Sequence, residues 1–269
     1  MIASLFKRRR PAAPVRRAST PADTVIWAVG DIHGRLDLLA PLLDAILAEL
    51  ASSGASRRIM VFLGDHIDRG PDSRGVLDRL CRLQDQPDIE THFLRGNHED
   101  RMEAFLVDPE VGPGWCEYGG REALRSYGVN PPVMRNDMDG WAEASAALNA
   151  ALPDRQRIFL ARQESSFSAG DYFFAHAGAR PGVPLSGQSP DDLMWIRQGF
   201  LDHPDAFEQV VVHGHTPEEA VHADHRRIGI DTGAYATGVL TGLRLHGEAR
   251  ETLSAAIRSR TVALSRSGL

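Results

Sequence analysis

Cysteine is almost missing from this chain of 269 residues: only Cys81 and Cys116 occur, and no Cys-x-x-Cys pair is present. That excludes a disulfide framework and a thiolate zinc site, and it permits a reducing compartment. Long apolar runs are missing too, so no segment suits a membrane-spanning helix. There is no internal repeat and no long low-complexity segment. A secretory signal needs an apolar stretch after its charges, whereas here residues 1–6 precede them. These absences lead us to expect a cytoplasmic protein. Aromatic residues make up only 7%, while apolar and charged fractions of 42% and 25% are those of an ordinary globular chain. Wholly disordered, collagen-like and coiled-coil readings are excluded, and the length suffices for a sizeable core.

Charge is unevenly placed. Lys7, Arg8, Arg9, Arg10, Arg16 and Arg17 fall in the first 20 residues, where no acid occurs. The rest of the chain then holds 24 basic against 36 acidic residues, a net charge of −12. Nucleic-acid binding depends on neutralising phosphates with Lys and Arg, so this acidic body argues against a nucleic-acid partner. Residues 1–23, with Pro11, Pro14 and Pro21 among Ala and Ser, read as a disordered basic tail. Its natural contact would be an anionic surface.

From Thr24 a regular pattern begins. Thr24–Val29 is a β-rich run that ends in Gly-Asp. Leu39, Leu42, Leu43, Ile46, Leu47 and Leu50 then recur at helical spacing, and Ser52, Ser53 and Gly54 stop the helix. A second strand, Arg58–Leu63, also ends in Gly-Asp and leads into a helical stretch near Asp72–Leu83. A third, Glu90–Leu94, ends in Arg-Gly-Asn-His. Three such units in succession predict parallel β-structure covered by helices. Residues 99–165 lean helical, with breaks at Gly112–Gly114 and Pro131–Pro132. Strands return at Tyr172–Phe174, Gln209–Val212, Arg227–Ile230 and Val239–Leu245, spaced closely enough to predict antiparallel pairing. The result is a mixed α/β sandwich, and in open α/β folds ligands bind where strands end.

Five strand ends carry polar blocks. They are Gly30-Asp31-Ile32-His33-Gly34, Gly64-Asp65-His66-Ile67-Asp68-Arg69-Gly70, Gly96-Asn97-His98-Glu99, His176-Ala177-Gly178 and His213-Gly214-His215-Thr216. Each alone is most simply a turn or a hydrogen-bonded strand edge. Five together have no packing explanation. Oxygen and imidazole donors without thiolates suit pairs of manganese, iron or zinc ions. In an extended segment, residues i and i+2 face the same way, so Asp31 and His33 can reach one ion. A carboxylate such as Asp65 can bridge two ions roughly 3.5–4 Å apart.

In this order, GDxHG, GDxxDRG, GNHE, HAG and GH, the blocks resemble the phosphoprotein phosphatase family of calcineurin-like metallophosphoesterases, in its compact bacterial serine/threonine protein phosphatase branch. The signature runs from Gly30 to Gly233. The resemblance implies a β-sandwich of mixed sheets flanked by helices, with a dinuclear metal site at strand C-terminal ends. It implies that Asp31, His33 and Asp65 hold a first divalent ion, and that Asp65 also bridges to a second held by Asn97, His176 and His215. Manganese is the expected metal, with iron or zinc as substitutes. The implied chemistry is in-line attack on phosphorus by a hydroxide bridging the ions. Arg69 and Arg95 match the family's phosphate-binding arginines, and Arg197, in Met194-Trp195-Ile196-Arg197, is a third candidate. Guanidinium donors match two phosphoryl oxygens at once. His98 would protonate the departing alkoxide, with Asp68 holding its imidazole. Residues 24–250 then form the catalytic domain, with a helical insert at about 100–165, and residues 251–269 add a C-terminal helix or tail.

Other residues read as structural. His66 stands where most members of the family carry Tyr or a large apolar residue, and it should point away from Asp65. His213 is expected beside the ligands rather than among them. His92, His203, His222, His225 and His246 read as surface or edge histidines, and Cys81 as core. Ile228–Gly233 resembles an aspartic-protease loop, but that chemistry needs two carboxylates sharing a proton, and the chain has one such loop. Asp231 is expected to orient a metal-site histidine or make a turn. A binding module that had lost its chemistry would lack a ligand or the acid, and every expected position is filled.

Two activities share this ligand set: hydrolysis of phosphoserine and phosphothreonine in proteins, and symmetrical cleavage of a dinucleoside tetraphosphate. The acidic body, and the lack of an assignable nucleotide pattern around Trp115, Tyr118 and Trp141, favour a phosphorylated protein or peptide as substrate.

Overall fold

The computed structural model describes residues 17–269. Strand β1 (Thr24–Val29) is buried on both faces. Val25, Trp27 and Val29 enter one apolar cluster, while Ile26 and Ala28 enter another. A strand covered on both sides needs no polar face, so its sequence reads as a nearly continuous apolar run. β1 pairs in parallel with β2 (Arg57–Phe62), and β2 with β3 (Glu90–Phe93). Helices α1 (Leu36–Ser52) and α2 (Ser73–Leu83) make the crossovers, burying Leu38, Leu42, Ile46, Val76 and Leu80. This is the parallel core that the three repeated units predict.

The helical insert follows as α3 (Asn97–Val107), α4 (Gly112–Trp115), α5 (Arg121–Ser126), α6 (Met138–Ala151) and α7 (Asp154–Ala161). A wide helical turn, Cys116–Gly120, joins α4 to α5. Phe105 packs against both Trp115 and Trp141, which pins the insert together.

The second sheet has the order β4 (Ser166–Ala169), β5 (Tyr172–Ala175), β6 (Val210–His213), β8 (Arg227–Gly229) and β7 (His222–Ala223). Its Tyr172, Phe174, Val212 and Ile228 meet Ile26, Ile59, Val61 and Leu243 of the first sheet to form the inner core. The close spacing of several late strands predicts antiparallel pairing, which β4–β5 and β7–β8 show, yet β5, β6 and β8 run parallel. The segments between them are true crossovers, and the first contains α8 (Pro190–Trp195) and α9 (Gln198–Leu201). Leu193 and Phe200 from that crossover cover the outer face of the sheet.

After α10 (Ala234–Thr237) the chain returns to the first sheet, whose order is β11-β10-β9-β1-β2-β3. Here antiparallel pairing holds, with β9 (Val239–His246) between β1 and β10 (Ala249–Arg258). The expected C-terminal helix or tail is instead a hairpin of β10 and β11 (Thr261–Gly268). Its two-residue turn, Ser259–Arg260, takes φ of 48° and 75°. That mirror-image turn usually advertises itself through Asn-Gly or Gly, so the hairpin has no turn signature in its sequence.

The amino-terminal expectation also needs correction where it can be seen. Ser19 N–H donates to Asp171, Thr20 N–H donates to the Gly247 carbonyl, and Gly247 N–H donates back to Thr20 Oγ1. Residues 19 and 20 thus tie a turn of each sheet together, because short polar side chains and free backbone groups satisfy both. The basic cluster up to Arg16 lies outside the described residues. Among the described residues, no helix is long and apolar enough to cross a membrane.

Candidate metal centre

The polar blocks follow β1, β2, β3, β5 and β6, and the sandwich brings their ends to one edge. Close backbone approach requires glycine there. A Cβ added at Gly64 (φ +99°) would lie 2.7 Å from Gly96 N, and one at Gly214 only 2.0 Å from an Asp31 oxygen. His33, Asp65, Asp68, Arg69 and His215 adopt positive φ between 47° and 71° although none is glycine. Such strained backbone persists where surrounding structure over-determines it, and it gathers at functional sites.

Asp65 lies at the middle. Its Oδ2 is 3.6 Å from His33 Nε2 and 3.8 Å from His98 Nε2, and its Oδ1 is 3.4 Å from His176 Nε2. His176 Nε2 in turn lies 3.0 Å from Asn97 Oδ1 and 3.1 Å from His215 Nδ1. Two donor groups result, with Asp65 common to both: His33 and Asp65 in one, with His98 at its edge, and Asp65, His176 and His215 in the other. Asp31 stands one step back, its carboxylate accepting the His215 N–H at 3.0 Å.

Several observations fit these residues to divalent cations. His33 Nδ1 lies 2.9 Å from the Ile67 carbonyl and His176 Nδ1 lies 2.8 Å from that of Leu63. A carbonyl can only accept, so the proton sits on Nδ1 and the Nε2 lone pair faces Asp65, the usual arrangement behind a metal-ligating histidine. Among the described residues, His215 Nε2 is buried without a partner. Burial keeps the imidazoles uncharged, lowering His33 to about 3 and His215 to about 2. Burial, with Asp231 and Asp65 nearby, raises Asp31 well above the carboxylate range. Neutral imidazoles beside buried carboxylates are a donor set that suits divalent cations.

The profile of the calcineurin-like phosphoesterase family matches residues 24–240. The chain belongs to this family. The phosphoesterase is 24% identical over 244 residues to the bis(5'-nucleosyl)-tetraphosphatase PrpE [asymmetrical] of Halalkalibacterium halodurans, covering 80% of this chain and 88% of that one. It is 40% identical over 98 residues to serine/threonine-protein phosphatase 2 of Escherichia coli, covering 35% and 38% of the two chains. Among solved structures it resembles the cold-active protein-tyrosine phosphatase of a psychrophilic Shewanella. That likeness has a TM-score of 0.56 and 18% identity and covers 93% of this chain and 83% of the other, which speaks for the fold alone.

Beside the donor groups lies a dyad. Asp68 Oδ2 receives His98 Nδ1 at 2.6 Å and Trp115 Nε1 at 2.6 Å. Burial disfavours the His98 charge, but Asp65 and Asp68 outweigh it and lift the imidazole to about 9. Burial pushes Asp68 up to about 6. With its Nδ1 on Asp68, His98 turns its Nε2 toward Asp65.

A cleft of about 600 Å³ opens onto His98 and Asn97, lined also by Arg69, Arg101, Arg135, Arg197, Glu110, Trp115, Tyr118 and Trp195. Two of the three arginines singled out from the sequence reach it. Arg69 lies over the Tyr235 ring at 4.3 Å, and Arg197 donates to the His215 carbonyl and to Thr216 Oγ1. Arg95 does not line it; its guanidinium turns to Asp100 and Glu103 on α3. Arg101, which sequence reasoning missed, lines the cleft instead and lies 5.0 Å from the Trp195 ring centre. Its spacing of four from Asn97 on α3 was the available signal, since residues i and i+4 share a helix face.

The remaining readings sort themselves by contact. His66 is buried against Gln163, Glu99 and Phe159 rather than at the centre. His213 lies between Phe200 and Arg227. Asp231 makes a turn, accepting the Gly233 N–H, and Cys81 is core. His92 is not a plain edge residue: it is held between Glu90 and Glu164 and stacked on Phe167.

Proposed function

We propose that this phosphoesterase cleaves a nucleoside polyphosphate of the bis(5'-nucleosyl) tetraphosphate class. The observation that carries this reading is the cleft beside the donor groups, lined by four arginines against one glutamate in an otherwise acidic protein. Tyr118 and Trp195 stand at its wall with 68% and 39% of their surface exposed. Arginine forks match phosphate oxygens, and exposed rings stack on bases. The similarity to PrpE tetraphosphatases over four fifths of the chain points the same way.

In this reading Asp31, His33, Asp65, Asn97, His176 and His215 hold two divalent ions. When bound, the ions supply a nucleophile drawn from water at neutral pH and neutralise charge on the phosphoryl group. Arg69 and Arg197 orient the phosphoryl oxygens, and Arg101 meets a neighbouring phosphate. His98, kept protonated by Asp65 and Asp68, gives its Nε2 proton to the departing oxygen. A phosphorylated protein at serine or threonine is the second reading, favoured by the 40% identity to serine/threonine-protein phosphatase 2.

The test is turnover of diadenosine tetraphosphate and of a phosphoserine peptide at the same pH, salt and manganese, with products separated. Higher kcat/KM on the dinucleotide is expected. AMP with ATP would mark an asymmetrical cut, and two ADP a symmetrical one. Arg101→Ala should raise KM for the dinucleotide and leave that for 4-nitrophenyl phosphate unchanged. Preference for the peptide would make the second reading the better one.

A further inference from the structure

We propose that Trp115 at the end of α4 and the helical turn Cys116–Gly120 latch the Asp68–Arg69 turn in its working shape, and that Trp115 is a positioning residue for His98. The proposal rests on His98 being the proton donor to the leaving group. None of the strand-end blocks contains these residues; they come from the insert.

Asp68 and Arg69 adopt φ of 71° and 64°, a left-handed shape that residues with a Cβ avoid unless held. Three contacts from the insert hold them. Trp115 Nε1 donates to Asp68 Oδ2 at 2.6 Å, Arg69 N–H donates to the Gly119 carbonyl at 3.0 Å, and Arg69 Nε donates to the Tyr118 carbonyl at 3.2 Å. Gly119, at φ 115°, is shaped for this approach, since an added Cβ would lie 2.7 Å from Arg69 N. Trp115 is itself firmly seated. It is 2% exposed, and a Cβ added at Gly120 would lie 2.4 Å from its indole ring.

The consequence falls on Asp68. Its Oδ2 takes both Trp115 Nε1 and His98 Nδ1, while its Oδ1 is buried with no partner. Among the described residues, the indole N–H is thus the one donor besides His98 that fixes which oxygen faces the imidazole. Without it the carboxylate can rotate, and the direction of the His98 Nε2 proton goes with it. The insert thereby couples the orientation of the dyad to the placement of Arg69.

Trp115→Phe keeps a ring in the seat and removes the donor. Trp115→His restores it, because imidazole Nε2 occupies the ring position of indole Nε1. Both variants, His98→Asn and the unaltered protein are loaded with manganese and assayed on glycerol phosphate, a poor leaving group, and on 4-nitrophenyl phosphate, a good one. For Trp115→Phe we expect kcat on glycerol phosphate to fall about tenfold, the scale of one hydrogen bond to a charged group. The loss on the aryl ester should stay within about threefold, with KM and bound manganese unchanged. Trp115→His should recover part of the glycerol phosphate rate. Equal losses on both esters, or none, in Trp115→Phe would overturn the latch while a selective loss in His98→Asn left the acid in place. Equal losses on both esters in His98→Asn would remove that reading of His98 and the latch with it. If Trp115→Phe does not fold, Trp115→His decides: a rate on glycerol phosphate no better than that of His98→Asn overturns the proposal.

Discussion

Replacing Glu99 by Gln should loosen the centre without touching any of the proposed ligands. Glu99 is fully buried, and its two oxygens accept four backbone N–H groups from two loops. Oε2 takes Asp65 N and Gly96 N at 2.9 Å each, and Oε1 takes His66 N at 2.7 Å and Ile67 N at 3.3 Å. Gln keeps one oxygen and puts an NH₂ group where the other stood, so two buried donors would face a donor. Each buried donor left unsatisfied costs about 1–3 kcal/mol, which puts the loss at roughly 2–6 kcal/mol. A domain stable by about 5–15 kcal/mol feels that strongly. At roughly 2–4 °C per kcal/mol for a chain of this size, the melting midpoint should fall by roughly 5–20 °C. Asp65 would also lose its fixed position, so manganese retained after gel filtration should drop. Calorimetry and elemental analysis on the same preparation read both effects. A midpoint and a metal content equal to those of the unaltered protein would refute the reasoning.

Three further outcomes follow from the centre and its surroundings. Exhaustive chelation should abolish hydrolysis and added manganese should restore it; full activity at verified zero metal would contradict the donor assignment. Asp65→Asn removes the charge shared by both donor groups, so metal content and turnover should fall together, whereas an unchanged metal stoichiometry would count against a bridging role. At His92, burial opposes the charge, but Glu164 and Glu90 prevail and raise its pKa above the ordinary value of about 6.5. A raised folded-state value stabilises fully below the unfolded pKa and fades as pH rises through the folded one. His92→Gln should therefore lower the melting midpoint more at pH 6 than at pH 9, and equal losses would show that the ion pairs contribute nothing.

The sequence by itself determined the parallel core and which polar residues stand at its strand ends. Each polar block follows directly on a β-rich run, so strand, turn and polar side chains are encoded within a short contiguous stretch. β1 shows this most plainly, since its predicted and observed limits are both Thr24–Val29. The rest was decided where distant segments meet. The β10–β11 hairpin escaped notice because Ser259–Arg260 adopts its left-handed turn without glycine or asparagine. The cleft escaped for a different reason: Arg101, Tyr118 and Trp195 come from three separate helical segments, and no local pattern records that they face one cavity. Arg95 shows the converse, because a motif match could not say that Asp100 and Glu103 stand closer to its guanidinium than the cleft does. Trp115 is a core aromatic, yet its indole N–H ends on Asp68, 47 residues away. Local sequence fixes which residues stand at a strand end; only packing fixes which of them share a proton, a phosphate or an ion.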